Sequence, residues 1–270
     1  MARAIIRMCF PHKTASMFAH RALQALGNAN SARHFSVNNS PPDAERAASY
    51  VATSMDRFVL VGPARTYNIS RSLSDALPEN GEIFDICQVR DPLDIMVSQY
   101  FSHGWIHPDR KWNDRRKKIR NGIASGAISI REYCDMQIRD EADFGGEPIT
   151  KRYYRLSATH KGCHRLKVYY EDFYNDYEGW VNRISEFLPS DLKVRKPLIS
   201  IKPDYSNSVR LADTVFFSDT LEYVKKYDIR RGKHIRSAAP GDHKHFLTRD
   251  EIADLRSTLS SLCPVIGELY

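Results

Sequence analysis

Three short clusters in this chain have the residue types that bind phosphate-like anions. The first is Pro11-His12-Lys13-Thr14-Ala15-Ser16, a lysine and two hydroxyls at the mouth of a helical pattern. Exposed backbone amides and the positive end of a helix dipole make such a loop an anion cradle. The second is Arg90-Asp91-Pro92, running into a helix that carries Ser98, so that a guanidinium fork and a hydroxyl can reach one phosphate. The third is the basic, glycine-containing stretch Arg230 to Asp242, with Arg236, Ser237 and Ala238 before Gly241. Each also has a plain reading: a surface lysine, an arginine paired with Asp91 or Asp94, a solvated loop. The first loop is not a Walker A motif, because no glycine precedes Lys13.

The elements that position these clusters follow from periodicity. Ala4–Phe10 is a short apolar run that reads as a buried strand. From Ser16, the residues Met17, Ala19, Ala22, Leu23 and Leu26 recur at helical spacing, with Gly27 as the expected stop. Residues 28–42 are polar and read as an irregular connection, and 44–55 as a helix. Further strands are expected at 57–62, 83–89 and 165–170, with Asp91 capping and Pro92 opening the helix after the third. The basic run 109–120 reads as a solvated helix face or a lid. Helices are expected around Trp180–Leu188, over 216–228, and from Arg249 to Leu262. Strands alternating with helices predict one α/β domain over 1–270, a central parallel sheet flanked by helices on both faces. Ligands of such sheets bind beyond the carboxyl ends of the strands.

Composition narrows the partners. The formal charge of +7 suits an anionic ligand, and the balance of 42% apolar and 27% charged residues is that of a globular protein. The five cysteines are scattered with no Cys-x-x-Cys pair, which indicates neither a zinc ribbon nor a redox pair and fits a reducing compartment. The N-terminal apolar run is broken by Arg7 and too short for a secretory leader, and no stretch approaches a membrane span. A cytoplasmic protein with no membrane or nucleic-acid partner is expected.

In order along the chain, Pro-x-Lys-Thr-x-Ser (11–16), Val-Arg-Asp-Pro-x-Asp-x-x-Val-Ser (89–98), Tyr-Glu-Asp (170–172) and Arg-Ser-Ala-Ala-Pro-Gly-Asp-His (236–243) resemble the P-loop-type sulfotransferases. The resemblance implies a three-layer, P-loop-like fold and transfer of a sulfuryl group from 3′-phosphoadenosine 5′-phosphosulfate to a small-molecule acceptor, with no metal. It implies that Lys13, Thr14, Ala15, Ser16 and Met17 wrap the 5′-phosphosulfate, with Lys13 meeting the leaving oxygen. Arg90, Ser98, Arg236, Ser237 and Ala238 would hold the 3′-phosphate, while Phe18 packs on adenine and Tyr170 lies beside the base. Two departures stand out. Ser237-Ala238 and His243 replace the usual Lys-Gly and Trp. The Thr-His-x-Pro base of the family is missing, since the matching stretch Val61–Asn68 has no histidine or acid. His12, His103 and His107 are the candidates for the general base. The rival readings are a nucleotide- or RNA-binding module and a P-loop small-molecule kinase. The first lacks aromatics interleaved with basic residues on a sheet face, and the second lacks the glycine before Lys13.

Overall fold

The computed structural model describes residues 4–11, 13–36, 41–64, 71–77, 81–107, 112–139, 148–157, 162–206, 208–230 and 239–269. In chain order the elements are β1 (Ala4–Cys9), α1 (Ser16–Asn30), β2 (Arg33–Phe35), α2 (Pro41–Thr53), β3 (Phe58–Ala64), α3 (Arg71–Asp75), β4 (Glu82–Val89) and α4 (Pro92–Phe101). Next come α5 (Asp114–Ala124), α6 (Ile130–Ile138), α7 (Ile149–Tyr154), β5 (Cys163–Tyr169), α8 (Tyr170–Asn175) and α9 (Tyr177–Phe187). The chain closes with α10 (Arg195–Ile199), α11 (Thr220–Lys226), α12 (Arg249–Leu262) and α13 (Pro264–Gly267).

These elements form two compact units. The first, Met1–Arg90 with Arg155–Pro203, holds the whole sheet. Its strands are parallel and ordered β2-β3-β1-β4-β5. All residues of β1 and β3 are buried, the continuous apolar signature of parallel strands covered on both faces. One face is covered by α2 and α3, where Ala47, Val51 and Leu73 pack on Ile5, Val59, Val61 and Ile83. On the other face Trp180 of α9 packs edge-on against Phe10 and against Phe18 of α1. From β1 the chain fills one side of the sheet with β2 and β3, then crosses to β4 on the other side. The carboxyl ends of β1 and β4 therefore flank the reversal point, where ligands of doubly wound sheets bind.

Arg7, which interrupts the apolar run of β1, is fully inside. It lies opposite Asp85, and Asp85 opposite Arg165, in one row across β1, β4 and β5. Arg7 Nε and Nη2 donate to the Asp85 carboxylate at 2.5 and 2.6 Å, and Arg165 Nη2 at 2.9 Å. Burial alone would raise the Asp85 pKa; the charge and bonds of Arg7, then Arg165, override it and hold the carboxyl below its usual range.

The second unit, Asp91–Tyr154 with Asp204–Tyr270, is helical. Tyr100 and Phe101 of α4 sit in its aromatic core with Tyr133, Tyr223 and Phe246. The end of α4 widens into a π-turn over Ser102–Ile106. Gly104 lets α5 approach that turn, since a Cβ there would stand 2.6 Å from Ile123 Cγ2. Of the basic run, Arg115, Lys117 and Lys118 lie on the exposed side of α5, whose Ile119 and Ile123 are buried.

Two expectations change. Helix α1 does not stop at Gly27 but continues to Asn30, and the left-handed C-cap is Ser31, at φ 51°. Gly27 is needed for close approach instead, because a Cβ there would stand 2.9 Å from the Ala32 carbonyl. The connection 28–42 contains β2, too short and too polar for the period-2 signal to show. Among the described residues, no helix is long and apolar enough to cross a membrane.

Candidate active site

The site is built on the loop after β1. Phe10 is fully buried and fixes the strand end. Lys13 and Ala15 both adopt left-handed backbone, at φ 70° and 64°. Such reversals turn successive amides toward one point, the geometry of an anion-binding nest. Ala15 is also the N-cap of α1; no side chain caps this helix, and its first turn contains no acid. The amides that open a 15-residue helix are thus presented at the carboxyl edge of the sheet, with Lys13 two residues before the N-cap.

Thr14 takes a different place from the ligand role the sequence implied. It is fully buried; its hydroxyl donates to the Pro11 carbonyl at 2.8 Å and its amide to the same oxygen at 3.0 Å. Thr14 braces the loop from inside through these two bonds. Phe18, expected on adenine, is also turned inward. Its ring meets Phe173, Tyr177 and Trp180 at centroid distances of 4.8, 5.9 and 5.9 Å. Helical spacing puts Phe18 on the buried stripe of α1 with Ala19, Ala22 and Leu23, so burial outweighs exposure of the ring. Met17, by contrast, is exposed at the helix mouth.

Arg90 joins β4 to this loop. Its Nη1 donates to the Lys13 carbonyl at 3.0 Å, and its guanidinium lies 4.2 Å from the centroid of the Tyr170 ring. Lys13, Arg90 and Tyr170 are therefore brought together from β1, β4 and the start of α8. Stacking on an aromatic face leaves the edge of a guanidinium for a planar or tetrahedral anion. The acids near Arg90 are engaged: Asp91 caps α4 through the Leu93 amide at 2.8 Å and meets Arg256 at 3.1 Å.

In the second unit, Asp94 and Ser98 stand one turn apart on α4. Asp94 is fully buried and accepts from the Gly241 amide at 2.7 Å, the His243 amide at 3.0 Å and His243 Nδ1 at 2.7 Å. That latch fixes the chain at the end of the third basic cluster, a role no local sequence signal showed. Arg236, Ser237, Ala238 and His12 lie outside the described residues.

Of the histidines expected to act as base, His103 is buried with Nδ1 2.6 Å from the Tyr133 hydroxyl, which also accepts from Gln137 at 3.0 Å. His107 follows the π-turn, its ring centroid 6.3 Å from that of His103, and its carbonyl accepts from Arg120. The π-turn, not a continued α-helix, keeps the two rings neighbours. The five cysteines are free thiols. Cys9 and Cys87 flank Asp85, but that carboxylate is held between two arginines and burial pushes the Cys9 thiol well up, so the trio is not suited to a cation.

A parallel sheet whose first strand empties into an uncapped, lysine-bearing helix mouth, with an arginine from a neighbouring strand, is an α/β architecture suited to an anion. Residues 85–262 match the sulfotransferase domain family, and the chain belongs to that family: it is a sulfotransferase. By sequence, no curated protein matches it. Among solved structures it is similar to a mouse sulfotransferase complexed with PAP, at 13% identity and TM-score 0.57, over 99% of this chain and 88% of that one. It is also similar to retinol dehydratase in complex with androsterone and inactive cofactor PAP, at 12% identity and TM-score 0.51, over 97% and 81%. A second structure of retinol dehydratase, with retinol and PAP, matches at 14% identity and TM-score 0.51, over 97% and 82%.

Proposed function

We propose that the chain, acting as a single domain, transfers the sulfuryl group of 3′-phosphoadenosine 5′-phosphosulfate to a hydroxyl or amine of a small molecule. The observation that carries this reading is the join of the Lys13 loop to Arg90 and Tyr170 at the carboxyl edge of the sheet. The nest of left-handed residues and the acid-free first turn of α1 suit a phosphosulfate. Bound there, the donor supplies the sulfuryl group and a bisphosphate leaving group. The amides of Ser16 and Met17 hold its 5′ end, and Thr14 keeps the loop in shape from below. Lys13 meets the charge that develops on the leaving oxygen, where a preorganised cation contributes most. Arg90, Ser98 and the 236–238 segment hold the 3′-phosphate, and Tyr170 keeps the Arg90 fork oriented. The buried Phe18 supports α1 beneath the cradle.

Thermal denaturation with adenosine 3′,5′-bisphosphate, ATP and RNA tests the donor half of the proposal. The bisphosphate should raise the melting temperature most, since a ligand that binds only the folded state stabilises it by mass action. An equal or larger shift with ATP or RNA would sink the reading. Incubation with labelled donor and separate alcohol, phenol and amine acceptors, followed by mass spectrometry, then identifies the acceptor class.

A further inference from the structure

Within the first unit, the far end of α1 borders a cavity of about 850 Å³, inside the size range of small-molecule sites. It begins at Ala25, about 13 Å along the helix axis from Ser16, and is therefore separate from the anion nest. Ala25 and Ala29 of α1, with Val194 and Pro197, give it an apolar floor. The walls are held by bonds of their own. Asn30, in the last turn of α1, donates through Nδ2 to the Lys193 carbonyl at 2.9 Å and accepts from the Lys193 amide at 2.7 Å. Tyr177 of α9 donates to the Leu198 carbonyl of α10 at 2.7 Å. A hollow fixed in this way needs little reordering when a ligand enters.

The rim is cationic. Lys193, Arg195 and Lys196 line the cavity and are exposed to solvent. Arg195 Nε donates to the neutral Asn182 side chain at 3.1 Å, which steadies the guanidinium without neutralising it. Asp191, the acid closest in the chain, pairs with Arg57 instead. Among the described residues, none of the three cations has a carboxylate partner. Nor does the end of α1 occupy them: the Gly27 carbonyl accepts from the Ser31 and Ala32 amides, and the Leu26 carbonyl from Asn30 Nδ2 at 2.9 Å. Unpaired cations above an apolar floor favour a molecule that is apolar at one end and anionic at the other.

We propose that this cavity is a second ligand site, which takes an amphipathic organic anion. The apolar body of the ligand lies on the floor formed by Ala25, Ala29, Val194 and Pro197. Its sulfate or carboxylate head meets Lys193, Arg195 and Lys196 at the rim. Binding here involves no covalent step and does not depend on the sulfuryl-transfer reading above. A sulfate ester formed by that transfer is one member of the ligand class, and a fatty acid is another.

Calorimetry on the full chain, with excess adenosine 3′,5′-bisphosphate to keep the cradle occupied, tests the site. The titrants are 2-naphthyl sulfate, laurate, 2-naphthol and inorganic sulfate. At least one of the two amphipathic anions should bind roughly tenfold or more tightly than both 2-naphthol and inorganic sulfate, and the stronger one tells a sulfate ester from a fatty acid. The double variant Lys193→Glu with Lys196→Glu should weaken that binding by roughly tenfold or more, because both rim charges are reversed. Ala29→Phe, which fills the floor, should weaken it as well. Melting temperature and bisphosphate affinity should stay those of wild type in the charge-reversed chain, whose changed side chains are exposed; it decides alone if Ala29→Phe unfolds. Binding of neither anion, equal binding of 2-naphthol and its sulfate, or unchanged binding in the charge-reversed chain overturns the proposal. A wild-type chain that binds the anion but not the bisphosphate overturns the donor reading instead.

Discussion

In the proposed transfer Lys13 and Arg90 have separable jobs although the backbone of one is bonded to the side chain of the other. Lys13 is a left-handed residue whose carbonyl is held by Arg90, and the proposed transfer sets its charge against the leaving oxygen. Lys13→Ala should lower turnover by roughly two to three orders of magnitude, as for loss of one oxyanion donor, with a smaller loss of bisphosphate affinity. Rapid-quench turnover and calorimetry on the folded variant measure the two effects. Arg90→Lys keeps the charge but loses the planar fork and the stacking on Tyr170. It should weaken the bisphosphate by about 2–4 kcal/mol while adenosine 5′-phosphate binding barely changes. Equal losses with both ligands in calorimetry would assign Arg90 to holding the loop alone.

At the scale of elements, α4 does more than carry Ser98. Asp94 lies in its first turn, where a carboxylate suits the helix dipole, and it gathers two amides and an imidazole from the 241–243 segment. Asp94→Ala leaves these buried donors without an acceptor and should cost about 2–4 kcal/mol of stability. Hydrogen exchange should speed up first at the Gly241 and His243 amides; exchange unchanged there would show that the latch does not hold that segment. The loop before α1 uses the same economy. Thr14 satisfies the Pro11 carbonyl internally, which leaves the outward amides for an anion.

For the whole molecule, the buried row Arg7–Asp85–Arg165 ties three of the five strands. Removing the carboxylate would strand two guanidinium groups, so Asp85→Asn should cost about 3–5 kcal/mol at neutral pH by chemical denaturation. The folded pKa of Asp85 is lowered. Its contribution is therefore present above the unfolded carboxyl pKa of about 3.9 and is lost as pH falls through the lower folded value. Wild type should lose melting temperature in that acid window by a component that Asp85→Asn lacks. Parallel pH slopes for the two proteins would contradict this.

By itself the sequence determined the β1–loop–α1 start, the capped entry to α4, the parallel sheet and the family. Those features are written in local spacing: apolar runs, a cap-proline pair, a lysine before a helix. It also singled out Lys13, Arg90 and Tyr170 as candidates, and the fold makes the three neighbours. What only the tertiary structure decided depends on partners distant in the chain. Thr14 and Phe18 turn inward because a carbonyl and three aromatic rings await them there. Arg7 reads as a break in an apolar strand until Asp85 and Arg165 are seen beside it. Asp94 meets His243 across 149 residues, and His34 meets Gly62 from a strand of three residues. No local pattern encodes such pairs, because hydrogen bonds between strands and helices are set by where the chain returns, not by what precedes them.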